Sequence, residues 1–88
     1  MSSQEHPRNL LNNLLQSIYR DPDALESHVR WEIWQSGSPS SPMWHATFYI
    51  DDMNYGHYSA PTKGVAQDEA ARQAYNNLRR EQMARRGY

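Results

Sequence analysis

Eighty-eight residues with nine Lys and Arg against ten Asp and Glu, a net charge of −1, 38% hydrophobic residues and no cysteine allow one small domain. The lack of cysteine excludes a disulfide framework and a thiolate zinc site, and the length excludes a large enclosed active-site cleft. Near-neutral charge argues against a simple polybasic nucleic-acid binder, and no apolar run approaches the roughly 20 residues that span a bilayer.

Pro7 suits a first helical turn, and Leu10, Leu11, Leu14, Leu15 and Ile18 follow at spacings of three and four, which predicts an amphipathic helix over about 7–20. Asp21-Pro22-Asp23 stops it, because the residue before a proline is pushed out of the α region, and a connector of about seven residues follows. Val29, Trp31 and Ile33 alternate with Arg30, Glu32 and Trp34, the period of a strand with one buried face, over about 28–36. SGSPSSP reads as a flexible connection. In WHATFYI, Trp44, Ala46, Phe48 and Ile50 fall on one face and His45, Thr47 and Tyr49 on the other. A turn at about Asp51–Asn54 leads into NYGHYSA as a third strand. Thr62 caps a last helix that reaches about Arg85, with Ala66, Ala70, Ala71, Ala74, Tyr75 and Leu78 as its apolar face. Ten aromatics supply the bulk that only twelve Leu, Ile, Val and Phe residues would otherwise leave short. The N-terminal MSSQEHPRNL has no signal-peptide core, so a cytoplasmic or nuclear protein with no membrane partner is expected.

The motifs behind these elements are specific. Pro7 stands ahead of Leu11-Asn12-Asn13 and Gln16 in HPRNLLNNLLQ; from Trp44, Gly56 lies twelve residues on and Thr62-Lys63 eighteen; TKGVAQDEAARQAYNNL closes the pattern. Together they resemble the double-stranded RNA-binding domain, over about residues 6–80. The resemblance implies an α+β fold of order α-β-β-β-α, with two helices packed on one face of a three-stranded antiparallel sheet. A single stand-alone domain over 6–82 is expected, with short flexible termini at 1–5 and 83–88. Double-stranded RNA is the implied partner, with neither cofactor nor metal, and the protein is not expected to be an enzyme.

The same resemblance places RNA contacts at three regions. Asn9, Asn12 and Asn13 of the first helix would enter a minor groove and reach 2′-hydroxyls and base edges, Asn13 replacing the family's glutamate with an uncharged donor and acceptor. Gly37, Ser38, Pro39 and Ser40 occupy the family's Gly-Pro-x-His loop, with the proline displaced and Ser40 where the histidine belongs. Lys63, Gly64 and Gln67 fall on the Lys-Lys-x-x-Lys cluster that bridges phosphates, so two of its three cations are gone. Each lost phosphate contact removes about 0.9 from the salt slope, so binding weaker than is typical of the family is expected. Arg72 and Arg79 lie about 180° and 160° around the last helix from Lys63, away from that surface. Arg72 stands four residues after Asp68, where an ion pair is expected, and Arg79, Arg80, Arg85 and Arg86 complement the negative end of the helix dipole.

Two other readings use the opposite face of the sheet. Glu32, His45 and His57, if they face outward together, carry the acid and base groups of a small metal-independent ribonuclease. Trp34, Tyr49, Tyr55 and Tyr58 would form an aromatic patch suited to a homodimer or a protein partner, although Tyr55 or Tyr58 could instead belong to the core. Ordinary cross-strand pairing explains the same residues without either function.

Overall fold

The computed structural model describes residues 6–86, except the side chain of Arg86. Helix α1 spans Pro7–Ile18, with His6 as its N-cap accepting from the Arg8 amide at 3.4 Å. It buries Leu11 and Leu15 and leaves Asn9, Asn12, Asn13 and Gln16 exposed, one polar strip along the opposite side. The segment expected as a connector is a short helix, α2, over Pro22–His28. Asp21-Pro22-Asp23 is a start as well as a stop: the Asp21 carboxylate accepts from the Asp23 amide at 3.1 Å, and Pro22 occupies the first turn, where its missing N–H is no loss.

Three antiparallel strands follow, β1 (Val29–Ser38), β2 (Ser41–Ile50) and β3 (Met53–Ala60), in the spatial order β1-β2-β3. Only Pro39 and Ser40 separate β1 from β2, so the supposed flexible connection is mostly ladder, with Gly37 opposite Pro42 and Ser38 opposite Ser41. Gly37 has φ +88, and a Cβ there would lie 2.5 Å from the Ser41 carbonyl oxygen. Glycine thus lets the strands continue to the tip. Asp51 and Asp52 (φ +50 and +66) form the two-residue β2–β3 turn in the left-handed conformation that aspartate tolerates. His28 holds this turn through its carbonyl, which accepts from the Asp51 amide at 2.8 Å, and through Nδ1, 2.5 Å from the Asp51 carboxylate.

Helix α3 runs from Lys63 to Arg86. Thr62 Oγ1 accepts from the Val65 amide at 3.3 Å, as expected of a cap. Residues 83–86, assigned from sequence to a flexible terminus, are the last turn of this helix; residues 1–5, 87 and 88 lie outside the described residues. Ala66, Ala70, Ala71 and Ala74 are fully buried and bring α3 down onto the sheet. The contact is closest at Gly56, where a Cβ would stand 2.1 Å from the Ala70 carbonyl oxygen. Phe48, the largest fully buried side chain, packs among Leu11, Leu15, Ile50, Tyr55 and Leu78. Burial of such side chains contributes about 2 kcal/mol each. Both long helices therefore cover one face of the sheet, an α+β fold of order α-β-β-β-α with the short α2 added.

The inward face of β2 is the expected one, with Ala46, Phe48 and Ile50 buried and Trp44 half-buried. On β3 the alternation is interrupted. Phe48 pairs with Gly56 while Tyr49 pairs with Asn54, so Tyr55 is the extra residue of a bulge and turns into the core. There its hydroxyl donates to Glu81 at 2.8 and 3.0 Å. Burial, reinforced by that hydrogen bond, pushes the Tyr55 phenol up to about 12.

Candidate nucleic-acid interface

β3 ends at Ala60, opposite Trp44, so Ser36–Met43 continues past it as a two-stranded ribbon tipped by Pro39 and Ser40. Gly37, Ser38, Pro39 and Ser40 are all exposed there, and the Ser38 and Ser40 hydroxyls lie 3.2 Å apart. The chain then returns through Pro61 and Thr62 into α3, which begins at the same end of the sheet. Lys63, exposed in the first turn, holds its ammonium 5.9 Å from the centre of the Trp44 ring. Trp44 lies three residues, about 10 Å of strand, from Ser41. The hairpin tip and the first turn of α3 are thus neighbouring projections.

Helix α1 packs across α3, and its first turn joins the start of that helix. The Arg8 guanidinium donates from Nε to Asp68 Oδ1 at 2.8 Å and from one terminal nitrogen to Gln67 Oε1 at 3.3 Å. His6 Nε2 lies 3.2 Å from the other Asp68 oxygen. Gln67, one of the expected RNA contacts, is therefore half-buried and engaged with α1 rather than free. Asp68 does not pair with Arg72, as the spacing suggested; Arg72 reaches Glu69 at 3.4 Å, and Asp68 turns to α1. Asn9, Asn12 and Asn13 are exposed and, among the described residues, make no side-chain hydrogen bond. Asn9 and Asn12 rim a groove of about 350 Å³ floored by Leu11, Trp31 and Phe48.

Sequence reasoning missed Arg8. Its spacing from Asn12 puts both on one side of α1, which was readable, but its partner Asp68 lies 60 residues away. Gln73 and Asn77 were also missed. One turn apart on α3, they reach the outer edge of β3, Gln73 Oε1 accepting from the His57 amide at 3.1 Å and Asn77 Nδ2 donating to the Tyr55 carbonyl at 2.8 Å.

On the open face, His45 points outward with Thr47 and Tyr49, as the alternation of β2 implied, and His57, whose side the sequence left open, pairs with Thr47 and shares that face. His45 stacks on Trp34 with ring centroids 4.1 Å apart, and its two ring nitrogens lie 2.7 Å from the Ser36 and Ser59 hydroxyls. His57 Nδ1 lies 2.8 Å from Thr47 Oγ1. Glu32 accepts from the Tyr49 hydroxyl at 3.1 Å, which raises that phenol above its ordinary value, and Arg30 lies 4.2 Å over the Tyr49 ring. Glu32, His45 and His57 share a face, yet among the described residues no hydrogen bond or ion pair joins any two of them. The aromatic patch is smaller than expected: Tyr55 is core, and Tyr58, paired with buried Ala46, lies on the helix side.

The family model for the double-stranded RNA binding motif matches residues 7–78. The chain belongs to this family. No significant match was found among curated proteins. Membership makes double-stranded RNA the partner class, and the family is a binding domain. Among the described residues no helix is long and apolar enough to cross a membrane.

Proposed function

We propose that this domain recognises the A-form shape of duplex RNA through three contacts, and binds it more weakly than is typical of the family. Asn9, Asn12 and Asn13 meet one minor groove, the Gly37–Ser40 ribbon tip meets the next, and Lys63 meets the phosphates between them. The observation that carries this reading is the junction of Arg8 with Gln67 and Asp68, which fixes the polar strip of α1 against the helix that presents Lys63. Weakness follows from the third contact, where Lys63 is followed by Gly64 and the engaged Gln67.

Titration of a labelled duplex of about 16 base pairs, the span such domains cover, is the direct test. RNA duplex should bind better than DNA duplex or single strands, Asn12→Ala should narrow that preference, and Lys63→Ala should flatten the salt slope by about one unit. Equal binding of single-stranded RNA refutes shape recognition.

A homodimer is the second reading, favoured by the contrast between the two sheet edges. Gln73 and Asn77 occupy the edge of β3, whereas β1 is a ten-residue edge strand without lysine or proline. Antiparallel addition of a second copy centred on Trp31 would set Arg30 opposite Glu32 of that copy. Sedimentation decides: a monomer at every concentration removes this reading. Ribonuclease action through Glu32, His45 and His57 is the third, and intact RNA after incubation at mildly acidic and neutral pH removes it.

A further inference from the structure

We infer that Arg8 is itself a phosphate ligand of the duplex interface, a cation carried by α1 but held ready on α3; this rests on the RNA-binding reading above. Its guanidinium uses Nε on Asp68 (2.8 Å) and one terminal nitrogen on Gln67 (3.3 Å). An arginine has five N–H donors in a planar fork, so these two contacts fix the plane and leave three donors, including both on the second terminal nitrogen. Among the described residues none of these three has a protein partner, and the Arg8 side chain is 44% exposed. The remaining donors suit a two-point contact with phosphate oxygens. Because the side chain is already tethered, little rotamer freedom is left to lose on binding.

Its position supports the same conclusion. Gln67 lies one helical turn beyond Lys63, so the Arg8 head sits about one 5.4 Å pitch along α3 from the Lys63 backbone. Two cations from different helices are thus presented within the first two turns of α3. Arg8 also borders the groove that Asn9 and Asn12 rim, which joins the minor-groove strip to the phosphate contact without a break. A competing account is that Arg8 only neutralises Asp68, as Arg72 neutralises Glu69. The two accounts diverge once Asp68 is uncharged.

The experiment is a cycle of Asp68→Asn, Arg8→Gln and the double variant, each titrated with the 16-base-pair RNA duplex from 0.05 to 0.3 M salt and checked for folding by circular dichroism. If Arg8 contacts phosphate, adding Arg8→Gln to Asp68→Asn flattens the salt slope by about 0.9 and costs about fivefold in affinity at 0.15 M. Asp68→Asn alone tightens binding. If Arg8 only neutralises Asp68, the double variant binds like Asp68→Asn, and the inference falls. Arg8→Lys keeps the charge and, since a folding defect of Arg8→Gln would obscure the cycle, serves as the second variant. In the Asp68→Asn background it must retain the slope, and loss of slope there overturns the inference. Failure of the unaltered protein to bind duplex at 0.05 M removes the RNA-binding reading and this inference together. Binding with a null Arg8 step removes only the latter.

Discussion

Replacing Gly64 with lysine adds a cation at the first turn of α3 and tests whether that turn faces phosphate. A Cβ at Gly64 meets nothing within 4 Å, so the new side chain enters solvent beside Lys63 and displaces nothing. Lysine exceeds glycine in helix propensity by about 0.7 kcal/mol, and a cation near the positive end of the helix dipole costs about 0.3 kcal/mol. The net gain of about 0.4 kcal/mol raises Tm by about 2 °C in a domain of this size. One added phosphate contact steepens log K against log salt by about 0.9. If the electrostatic contribution vanishes near 1 M salt, that slope amounts to about fivefold in affinity at 0.15 M and about fifteenfold at 0.05 M. Fluorescence anisotropy with a labelled duplex at three salt concentrations measures both numbers. A raised Tm with unchanged affinity, or a gain that does not vary with salt, refutes the reasoning.

Two further predictions concern the scaffold. Gly56→Ala sets a methyl group 2.1 Å from the Ala70 carbonyl oxygen and 2.9 Å from the Ala74 nitrogen, so α3 must lift; urea unfolding should show a loss of about 3 kcal/mol. The fold holds the Tyr55 phenol near 12 against an ordinary value of 10, which favours its protonated form. The stability this contributes is therefore complete below about pH 10 and lost as pH rises through about 12. Tyr55→Phe should remove that part of the alkaline transition in a circular dichroism titration.

What was legible in the sequence was local. The spacing of Leu11 and Leu15 places α1, the alternation through Trp44–Ile50 assigns both faces of β2, and Thr62 marks the start of α3. Where one signal has two meanings, the sequence was ambiguous: Asp21-Pro22 ends one helix and begins another. The SGSPSSP segment was misleading for a related reason, since a ladder is made of backbone groups and Gly37 and Pro39 serve the turn without ending the strands. At Tyr55 a bulge shifts the period by one residue, and nothing in NYGHYSA marks it. The site was least legible where it is made of long-range pairs. Asn9, Asn12, Asn13 and Lys63 were assigned through the family resemblance, and helix spacing sets only their side of each helix, whereas the commitment of Gln67 to Arg8 and of Asp68 to α1 depends on how the two helices cross.

On the proposed interface the net charge of −1 is a poor guide to binding, because position along α3 decides which charges count. Asn76→Lys changes the total by the same unit as Gly64→Lys and also sits at an exposed position. It lies thirteen residues beyond Lys63, about 20 Å along the helix and about 140° around it. At 0.15 M salt the Debye length is about 8 Å, so a charge there is more than two screening lengths from the first turn. Asn76→Lys should therefore leave both the salt slope and the affinity at 0.15 M unchanged. An increase equal to that of Gly64→Lys would mean that duplex RNA responds to overall charge, and that the first turn of α3 has no special place in the interface. Three arginines of α3 fit the first outcome: Arg72 is spent on Glu69, Arg79 lies over Tyr75, and Arg80 donates to Asn77. Only charges that reach the phosphates beside Lys63 should alter the grip on RNA.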